Sequence, residues 1–273
     1  MPRISIVMPC FNSELYLQET LDCLIKQSFT DWECVIVNNG STDSTNEIAN
    51  TYAQKDPRFR VLTKEHGGIS SGRNYGIMAA KGEFIQLLDS DDLITPNKLF
   101  NEIEFLNHHP DVDIVYSGAR YFYTNDHERA LHVYSDKGWT GTIEIDRSDK
   151  VVLDAIMKRN PFVTSAPLYR ASIFKEIGLY DESLQYIEDW DFQIRCALAD
   201  KVFHYLGYKP DQCTLIRLHD RNISKNKDAV QSAKRKLMEK HAVLFKMKKK
   251  ERRKISFKDL IPPILLSLVN RLR

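Results

Sequence analysis

The stretch of this sequence that decides its fold is Phe84-Ile85-Gln86-Leu87-Leu88-Asp89-Ser90-Asp91-Asp92. Its first half is an apolar run typical of a buried strand, and its second half places three carboxylates within four residues. Adjacent carboxylates repel one another unless a cation or an array of hydrogen-bond donors neutralises them. The carboxyl ends of parallel strands are also where α/β sheets bind ligands. The stretch therefore indicates either a divalent cation beside an anionic substrate, or the acidic start of a helix at residues 93–99 with Pro96 at its first position.

Apolar runs alternate with amphipathic segments through the first hundred residues. Strands are predicted at residues 4–9, 32–37, 59–62 and 84–88, and helices at 14–27, 44–55 and 69–80. This alternation predicts an α/β fold built on a mostly parallel sheet with crossover helices. After about residue 110 the pattern becomes less regular. Strands are predicted there at 114–124, 131–134, 202–205 and 213–218, and helices at 151–158 and from 188 onward.

The composition is that of an ordinary globular protein of 273 residues with a net charge of +2. Its five cysteines form no CxxC pair, which favours reduced thiols in a cytoplasmic protein over a disulfide framework or a zinc site. The first residues enter an apolar strand directly, so no signal peptide is expected. The charge is unevenly distributed, because residues 1–224 carry a net −10 and residues 225–273 a net +12.

The basic segment 225–273 is predicted to be an amphipathic helical tail, helix-prone from 229 to 254. The apolar positions that share one helical face farther on are Ile261, Ile264, Leu265, Leu268, Val269 and Leu272. The uncharged stretch 260–270 is shorter than the roughly 17–20 residues that a transmembrane helix needs. The tail is therefore expected to lie on an anionic membrane surface, or alternatively to pack on its own domain or on a second subunit of a homo-oligomer.

Three of the predicted strands end in residues that suit a nucleotide diphosphate, and the tips of parallel strands meet at one edge of a sheet. The tips are Pro9-Cys10-Phe11-Asn12, Asn38-Asn39-Gly40-Ser41 and Asp89-Ser90-Asp91-Asp92. Phe11 offers an aromatic face for a base, Asn39 offers hydrogen bonds, and a metal on Asp92 would neutralise the phosphates. Arg73 offers a forked donor for phosphate, or alternatively forms a surface salt bridge.

Two later segments add candidate catalytic residues. Glu188-Asp189-Trp190-Asp191 opens a predicted helix with three carboxylates, which either supply a general base or complement the helix dipole. His219, at the end of a predicted strand, is a candidate ligand of a metal or phosphate, or else a structural histidine. The sequence contains no GxGxxG after its first strand, no GxxxxGK[ST], no HExxH and no GxSxG. These absences disfavour dinucleotide dehydrogenases and P-loop NTPases.

Seven short segments together carry a resemblance to a known family. They are Ser5-Ile6-Val7-Met8-Pro9-Cys10-Phe11-Asn12, Asn39-Gly40-Ser41-Thr42-Asp43, Gly72-Arg73-Asn74, Asp89-Ser90-Asp91-Asp92, Gly178-Leu179-Tyr180-Asp181-Glu182, Glu188-Asp189-Trp190-Asp191 and Arg217-Leu218-His219. Their order and spacing, over roughly residues 3–224, resemble the family 2 inverting glycosyltransferases with the GT-A fold. The resemblance implies a catalytic domain at 1–224, with a nucleotide-sugar half at 1–110 and an acceptor half at 111–224, followed by the tail at 225–273.

The resemblance implies nucleotide-sugar contacts near the first strands. Pro9, Phe11 and Asn12 would lie at the nucleotide, with the ring of Phe11 stacked near the base. Asn39 stands where the family usually has a base-reading aspartate, and Arg73 would approach the pyrophosphate. An amide both donates and accepts hydrogen bonds whereas an ionised carboxylate only accepts, so dTDP- and GDP-sugars stay open beside UDP-sugars.

The resemblance also implies the catalytic roles. Asp91 would contact the ribose, and Asp92 would bind Mn²⁺ or Mg²⁺ with help from His219. Asp189 would be the general base. Residues expected to shape the acceptor and sugar pocket are Glu188 and Trp190, with segment 160–170 as a further wall.

The activity that follows from this resemblance is metal-dependent, inverting transfer of a sugar from a nucleotide-diphosphate sugar, UDP-sugar first. The acceptor would be a hydroxyl of a glycan or lipid-linked saccharide in bacterial cell-surface polysaccharide or glycolipid synthesis, at the inner face of the cell membrane. Two alternatives remain, a phosphohydrolase with Asp89 as nucleophile and a non-catalytic nucleotide-sugar-binding protein. Nucleic acid is not expected as a partner.

Overall fold

The structure, a computed structural model, describes residues 1–123, 126–131, 142–146, 152–220, 222 and 226–246. The described strands are β1 (Ile4–Cys10), β2 (Trp32–Asn39), β3 (Phe59–Lys64), β4 (Phe84–Leu87), β5 (Leu93–Ile94), β6 (Ile114–Tyr116), β7 (Ala119–Tyr123), β8 (Asp126–Leu131), β9 (Pro167–Arg170), β10 (Phe203–Tyr205) and β11 (Thr214–Leu218). The described helices are α1 (Leu17–Ile25), α2 (Thr45–Lys55), α3 (Gly68–Ala79), α4 (Lys98–His108), α5 (Val152–Lys158), α6 (Ser172–Glu176), α7 (Glu188–Leu198), α8 (Lys227–Lys240) and α9 (Ala242–Lys246).

The central sheet has seven strands in the order β10-β6-β9-β4-β1-β2-β3. The neighbours among β3, β2, β1 and β4 pair in parallel, and β9 is antiparallel to both β4 and β6. A second sheet has the order β5-β11-β7-β8, in which β11 runs antiparallel to β5 and parallel to β7. The predicted α/β architecture with a mostly parallel sheet is therefore confirmed.

Strand β1 lies in the middle of the sheet and is buried along its whole length. Successive side chains of a strand point to opposite faces, so Ile4, Ile6 and Met8 pack in one core while Val7 packs in the other. Both faces are covered by helices, which is why β1 and β2 are buried along their whole length instead of at alternate residues.

Helix α3 approaches the sheet closely because two glycines, one turn apart, face it. A Cβ atom on Gly76 would lie 2.5 Å from Cγ1 of Val7, and one on Gly72 would lie 3.1 Å from Cβ of Pro9. Larger residues at these positions would push the helix away from β1. The close contact brings Arg73, which follows Gly72, to the carboxyl ends of the strands.

The structure corrects several predicted elements. The alternative helix at 93–99 is wrong, because Leu93–Ile94 forms a strand that pairs with β11 and α4 begins at Lys98. The single strand at 114–124 is two strands, β6 and β7. The strand predicted at 131–134 is found as Asp126–Leu131, and residues 132–134 lie outside the described residues.

Helix α8, the start of the predicted basic tail, packs on the body of the protein. Its Leu237 is fully buried in the same core cluster as Phe192 of α7, and Lys240 forms a 2.6 Å ion pair with Asp181. The predicted helix over 229–254 turns at His241 between α8 and α9, and the remainder lies outside the described residues, as does the predicted amphipathic stretch at 261–272. Within the described part of the chain, no helix is long and apolar enough to cross a membrane.

Candidate active site

Asp92, the predicted metal ligand, is buried and turned toward the protein interior. Its Oδ2 accepts a 2.7 Å hydrogen bond from the Ser165 hydroxyl, and its Oδ1 accepts one of 3.2 Å from the Arg217 backbone N–H. Burial, together with the nearby charges of Asp91 and Asp89, raises the pKa of the Asp92 carboxyl well above its usual value. Each oxygen thus accepts one hydrogen bond within the protein, which fixes the loop, and the metal contact of Asp92 stays a prediction.

Asp91 is partly exposed, with 28% of its side chain accessible to solvent, and is paired with His219. The Asp91 Oδ2 and His219 Nε2 atoms lie 2.8 Å apart, and the His219 ring contacts the ring of Tyr16 with centroids 4.6 Å apart. A carboxylate oxygen and an imidazole nitrogen that form a hydrogen bond with each other are also both suitable metal ligands. Among the described residues, no cluster of three or more His, Cys, Asp or Glu side chains forms a metal site. Asp91 and His219 are a carboxylate and an imidazole, side chains that could hold a divalent metal.

Arg217 holds the acidic loop in place and is a site residue beyond those predicted from the sequence. Its Nε donates a 2.8 Å hydrogen bond to the Asp91 carbonyl oxygen, and its Nη2 forms a 2.7 Å ion pair with Glu19. The guanidinium is fully buried between the rings of Tyr16 and Phe122, 4.9 and 4.6 Å from their centroids. The available signal was an arginine inside an apolar strand, two residues before His219.

Arg73 links the two acidic segments of the chain. Its Nη2 donates a 2.7 Å hydrogen bond to Asp89 Oδ1, and its Nη1 pairs with Glu188 Oε1. Its side chain is 3% exposed. Burial alone would lower the pKa of Arg73, but the charges of Asp89 and Glu188 outweigh it and raise that pKa. The alternative salt bridge is therefore found, but buried instead of at the surface, because α3 brings Arg73 beneath the loops. The pyrophosphate contact stays a prediction.

Asp189, the predicted base, lies at the start of α7 and is held by three donors. Its Oδ2 accepts hydrogen bonds from Asn160 at 2.7 Å and Thr164 at 3.1 Å, and its Oδ1 accepts one from the Trp190 backbone N–H. Burial raises the pKa of the Asp189 carboxyl, although Arg73 and these hydrogen bonds oppose the shift. A carboxylate with a raised pKa is a stronger base, so the environment suits proton abstraction.

The backbone before this helix is strained. Ile187 has φ 53°, a left-handed conformation that β-branched residues rarely adopt. The turn it makes brings Glu188 inward to Arg73 and begins α7 at the crevice. Such strain is concentrated at functional sites, where surrounding contacts over-determine the geometry.

The two neighbours of Asp189, Glu188 and Trp190, both form contacts within the protein. Glu188 is buried against Arg73, and burial raises the pKa of its carboxyl. The Trp190 indole N–H donates a 2.8 Å hydrogen bond to the Ile156 carbonyl oxygen. The structure thus engages both residues predicted for the acceptor pocket in contacts with α3 and α5.

Asp191 joins α7 to the C-terminal helices. Its Oδ1 lies 2.8 Å from His241 Nε2 and 2.9 Å from Lys240 Nζ, and its Oδ2 lies 2.9 Å from Arg195 Nε. Burial alone would raise the pKa of Asp191, but the His241 hydrogen bond and the charges of Arg195 and Lys240 hold it well below its usual range.

The tips of β1 and β2 present an aromatic surface. The Phe11 side chain is 48% exposed and its ring centroid lies 4.1 Å from that of His66, which also bonds the Asn39 carbonyl oxygen at 3.0 Å. Asn12 Oδ1 accepts a 2.9 Å hydrogen bond from the Thr42 backbone N–H, so it joins the two tips. Pro9 is buried beneath α3. His66 was not identified from sequence, because its approach depends on the loop before α3.

The Asn39 side chain is buried and its amide is used on both sides. Its Nδ2 donates a 2.8 Å hydrogen bond to the Gly68 carbonyl oxygen, while its Oδ1 accepts from Lys64 Nζ and from the Gly67 backbone N–H. The amide therefore ties the end of β2 to the β3–α3 connection, and its contact with a nucleotide base stays a prediction. An ionised aspartate here would face the Gly68 carbonyl with no proton to donate.

The family profile described as Glycosyl transferase family 2 matches residues 5–178. This chain belongs to glycosyltransferase family 2. It is 31% identical over 223 residues to the uncharacterized glycosyltransferase EpsJ of Bacillus subtilis, covering 79% of this chain and 64% of that protein. It is also 33% identical over 204 residues to the uncharacterized glycosyltransferase RT0329 of Rickettsia typhi, covering 74% and 61%. The chain thus spans less than two thirds of the length of these curated relatives.

Solved structures with the same fold confirm the GT-A architecture. S. aureus TarS 1–349 in complex with UDP-GlcNAc superposes with a TM-score of 0.68 at 22% identity, covering 92% of this chain and 69% of that chain. Mannosyltransferase PcManGT from Pyrobaculum calidifontis, in complex with GDP-Man and Mn²⁺, has a TM-score of 0.63 at 18% identity, covering 88% and 64%. The predicted fold and family are therefore confirmed. The phosphohydrolase alternative is set aside, since its nucleophile Asp89 is paired with Arg73 in a glycosyltransferase fold.

Proposed function

We propose that this glycosyltransferase moves a sugar, with inversion, from a nucleotide-diphosphate sugar to a hydroxyl of a glycan or lipid-linked saccharide. The observation that carries the proposal is the Arg73 bridge between Asp89 and Glu188. This bridge joins the acidic segment after β4, which contains Asp91, to the start of α7, which contains Asp189. A UDP-sugar is the first donor to test, because the TarS fragment with the same fold is in complex with UDP-GlcNAc.

Asp189 supplies the base in this proposal. One of its oxygens takes the proton of the acceptor hydroxyl, which attacks the anomeric carbon on the face opposite the nucleotide. Its hydrogen bonds from Asn160, Thr164 and the Trp190 backbone N–H fix the carboxylate in one orientation. Preorganisation of this kind lowers the reorganisation needed when the proton moves.

Asp91 and His219 are the residues that fit a divalent metal, Mn²⁺ or Mg²⁺. This proposal differs from the prediction from sequence, which gave Asp92 the metal and Asp91 the ribose, because Asp92 is buried whereas the Asp91 side chain is partly exposed. A metal bound there would offset the charge that develops on the diphosphate leaving group. Arg217 and Tyr16 keep Asp91 and His219 in place through the contacts described above.

The experiment that tests the donor is a thermal-shift screen of UDP-, GDP- and dTDP-sugars with and without Mn²⁺. A ligand stabilises the folded state by RT ln(1 + [L]/Kd), so the preferred donor gives the largest rise in Tm. We expect a UDP-sugar to give that rise, and only in the presence of Mn²⁺. No rise with any nucleotide sugar would contradict the proposal, and a larger rise with a GDP-sugar would contradict the choice of base.

The proposed location is the inner face of the cell membrane, where lipid-linked acceptors would be reached. It rests on the charge and periodicity of the tail, and the relatives EpsJ and Minor teichoic acid biosynthesis protein GgaB are bacterial. The chain is 41% identical to GgaB over 115 residues, which are 41% of this chain and 13% of GgaB. Because Leu237 and Leu244 are core residues, the informative deletion is 247–273 instead of the whole tail. Loss of binding to anionic liposomes is expected; unchanged binding would refute membrane contact through this segment, and an altered mass in solution would support the homo-oligomer.

A further inference from the structure

A groove of about 270 Å³ lies between the segment that precedes α7 and the first part of α8. It is open to solvent on one side. The residues that line it are Ser183, Leu184, Gln185, Tyr186, Ala229, Ser232, Ala233 and Lys236. None of these residues has a role in the site described above.

The first wall of the groove is fixed to α3. The Leu184 carbonyl oxygen accepts a 2.9 Å hydrogen bond from the hydroxyl of Ser70, which lies three residues before Arg73 on that helix. The Ser183 hydroxyl and backbone N–H both donate to Asp181 Oδ1, at 2.7 and 3.0 Å. The segment is therefore held in one conformation by the helix that carries the Arg73 bridge.

The second wall is fixed to α7. Lys240, at the end of α8, forms ion pairs with Asp181 and Asp191, and His241 bonds Asp191 at 2.8 Å. Leu237, one turn after Ala233, is fully buried in the core. The groove therefore lies between two elements that are each held by a helix of the site. The segment before α7 is bonded to α3, which carries Arg73, and α8 is bonded to α7, which carries Asp189.

The groove also lies close to the base along the chain. Tyr186 precedes Asp189 by three residues, so fully extended chain between them spans at most about 10 Å. On the other side, α8 begins eight residues after His219. One end of the groove therefore lies near the start of α7, the helix that carries Asp189.

The chemistry of the lining suits an anionic saccharide. Ser183, Ser232 and Tyr186 offer hydroxyl groups and Gln185 an amide, which can donate to and accept from sugar hydroxyls. Among the described lining residues, Lys236 is the one with a charged side chain, and its charge is positive. Phosphate and carboxylate groups are the usual partners of such a cation.

We infer that this groove binds the acceptor, and that the acceptor is a saccharide bearing an anionic group which Lys236 holds. This inference rests on the proposed function and names the substrate class of its second site. It relocates the acceptor from Glu188 and Trp190, whose side chains are engaged with Arg73 and Ile156, to the polar groove beside them.

The test is calorimetric titration of the full chain saturated with UDP and Mn²⁺, so that added phosphate groups cannot occupy the nucleotide site. The probes are methyl α-D-glucopyranoside, its 6-phosphate and inorganic phosphate. We expect the sugar phosphate to bind more tightly than either the neutral glycoside or phosphate alone. Equal affinity for all three, or no binding of the sugar phosphate, would overturn the inference.

Variants on α8 place the binding in the groove. Lys236→Gln is expected to weaken the sugar phosphate about three- to five-fold, the effect of losing an exposed charged contact. Lys234→Gln removes another exposed lysine of the same helix that is not among the lining residues, and should leave the affinity unchanged. Ser232→Trp fills the groove and should abolish binding. Equal losses in both lysine variants, or full binding by Ser232→Trp, would contradict the assignment.

Two further measurements separate this inference from the proposed function. UDP affinity and the slow hydrolysis of UDP-GlcNAc are measured in every variant, and both are expected to match the parent protein. If the parent binds UDP-GlcNAc but no sugar phosphate, the groove assignment alone fails. If the parent binds no nucleotide sugar, the proposed function fails, and the titration without nucleotide decides whether Lys236 binds sugar phosphates.

Discussion

The two acidic segments of this protein have the same pattern and different environments. Each places three carboxylates within four residues, at 89–92 after β4 and at 188–191 at the start of α7. In each segment the first carboxylate binds Arg73, and the last is buried, with exposures of 5% for Asp92 and 0% for Asp191. The buried members differ most, since Asp92 is bound by neutral donors whereas Asp191 is bound by Arg195, Lys240 and His241.

This difference shows that the partners of a buried carboxylate, more than its burial, decide how it titrates. Burial raises the pKa of Asp92, while cationic partners hold the pKa of Asp191 below its usual range. The first arrangement fixes a loop beside a proposed metal site without adding a cation. The second anchors α8 to α7, and Arg73 joins the two segments.

The largest expected effect follows from removing the base. Asp189→Asn keeps the size and one acceptor oxygen, but its NH2 group cannot accept a hydrogen bond and the side chain cannot take a proton, so turnover should fall by about 10²–10⁴-fold. UDP affinity with Mn²⁺, measured by calorimetry, should stay unchanged, because Asp189 lies in the other acidic segment. Turnover near that of the parent protein would remove Asp189 from the mechanism.

The next largest effect is expected from breaking the bridge between the segments. Arg73→Met leaves the buried Glu188 and the partly buried Asp89 without their cation, which typically costs about 3–5 kcal/mol of folding free energy. Urea unfolding measures this loss. The double variant Arg73→Met with Glu188→Gln removes the buried charge as well, and should recover part of the stability. A double variant no more stable than the single one would show that the bridge is not the cause.

A matched pair of variants distinguishes the two candidate metal ligands. Asp91→Asn should weaken Mn²⁺-dependent UDP binding by at least about ten-fold, as expected for damage to a metal site. Asp92→Asn should have a smaller effect, because an amide can still accept from the Arg217 N–H and bond Ser165. Calorimetry with and without Mn²⁺ separates metal-dependent from metal-independent binding. The opposite order would restore Asp92 as the metal ligand.

The smallest effect concerns pH and Asp191. Its folded-state pKa lies below the unfolded value of about 3.9, so it stabilises the fold above that value and loses this contribution as pH falls toward its folded pKa. The stability advantage of the parent protein over Asp191→Asn should therefore be constant above about pH 5 and shrink below about pH 4. Urea unfolding between pH 3 and 7 checks this. An advantage that grows on acidification would contradict the assigned pairing.

The sequence by itself determined the parallel strands β1 to β4 and the polar residues at their carboxyl ends. Apolar runs such as that of β1 are buried on both faces, so their pattern is local and visible in the chain. The acidic run after β4, the exposed Phe11 and the carboxylates that open α7 were located in the same way. The family followed from the order of these segments.

Only the tertiary structure decided how the polar side chains are shared among partners. Leu93–Ile94 is a strand because it pairs with β11, 120 residues later, which local propensity could not reveal. Arg73 meets Asp89 and Glu188 across 16 and 115 residues of chain. Buried charges must be matched by partners wherever the fold brings them, so these pairings depend on packing, whereas the residue types depend on sequence. That is why the sequence located the acidic tip, while the fold left the Asp91 side chain partly exposed and placed Asp92 in the interior.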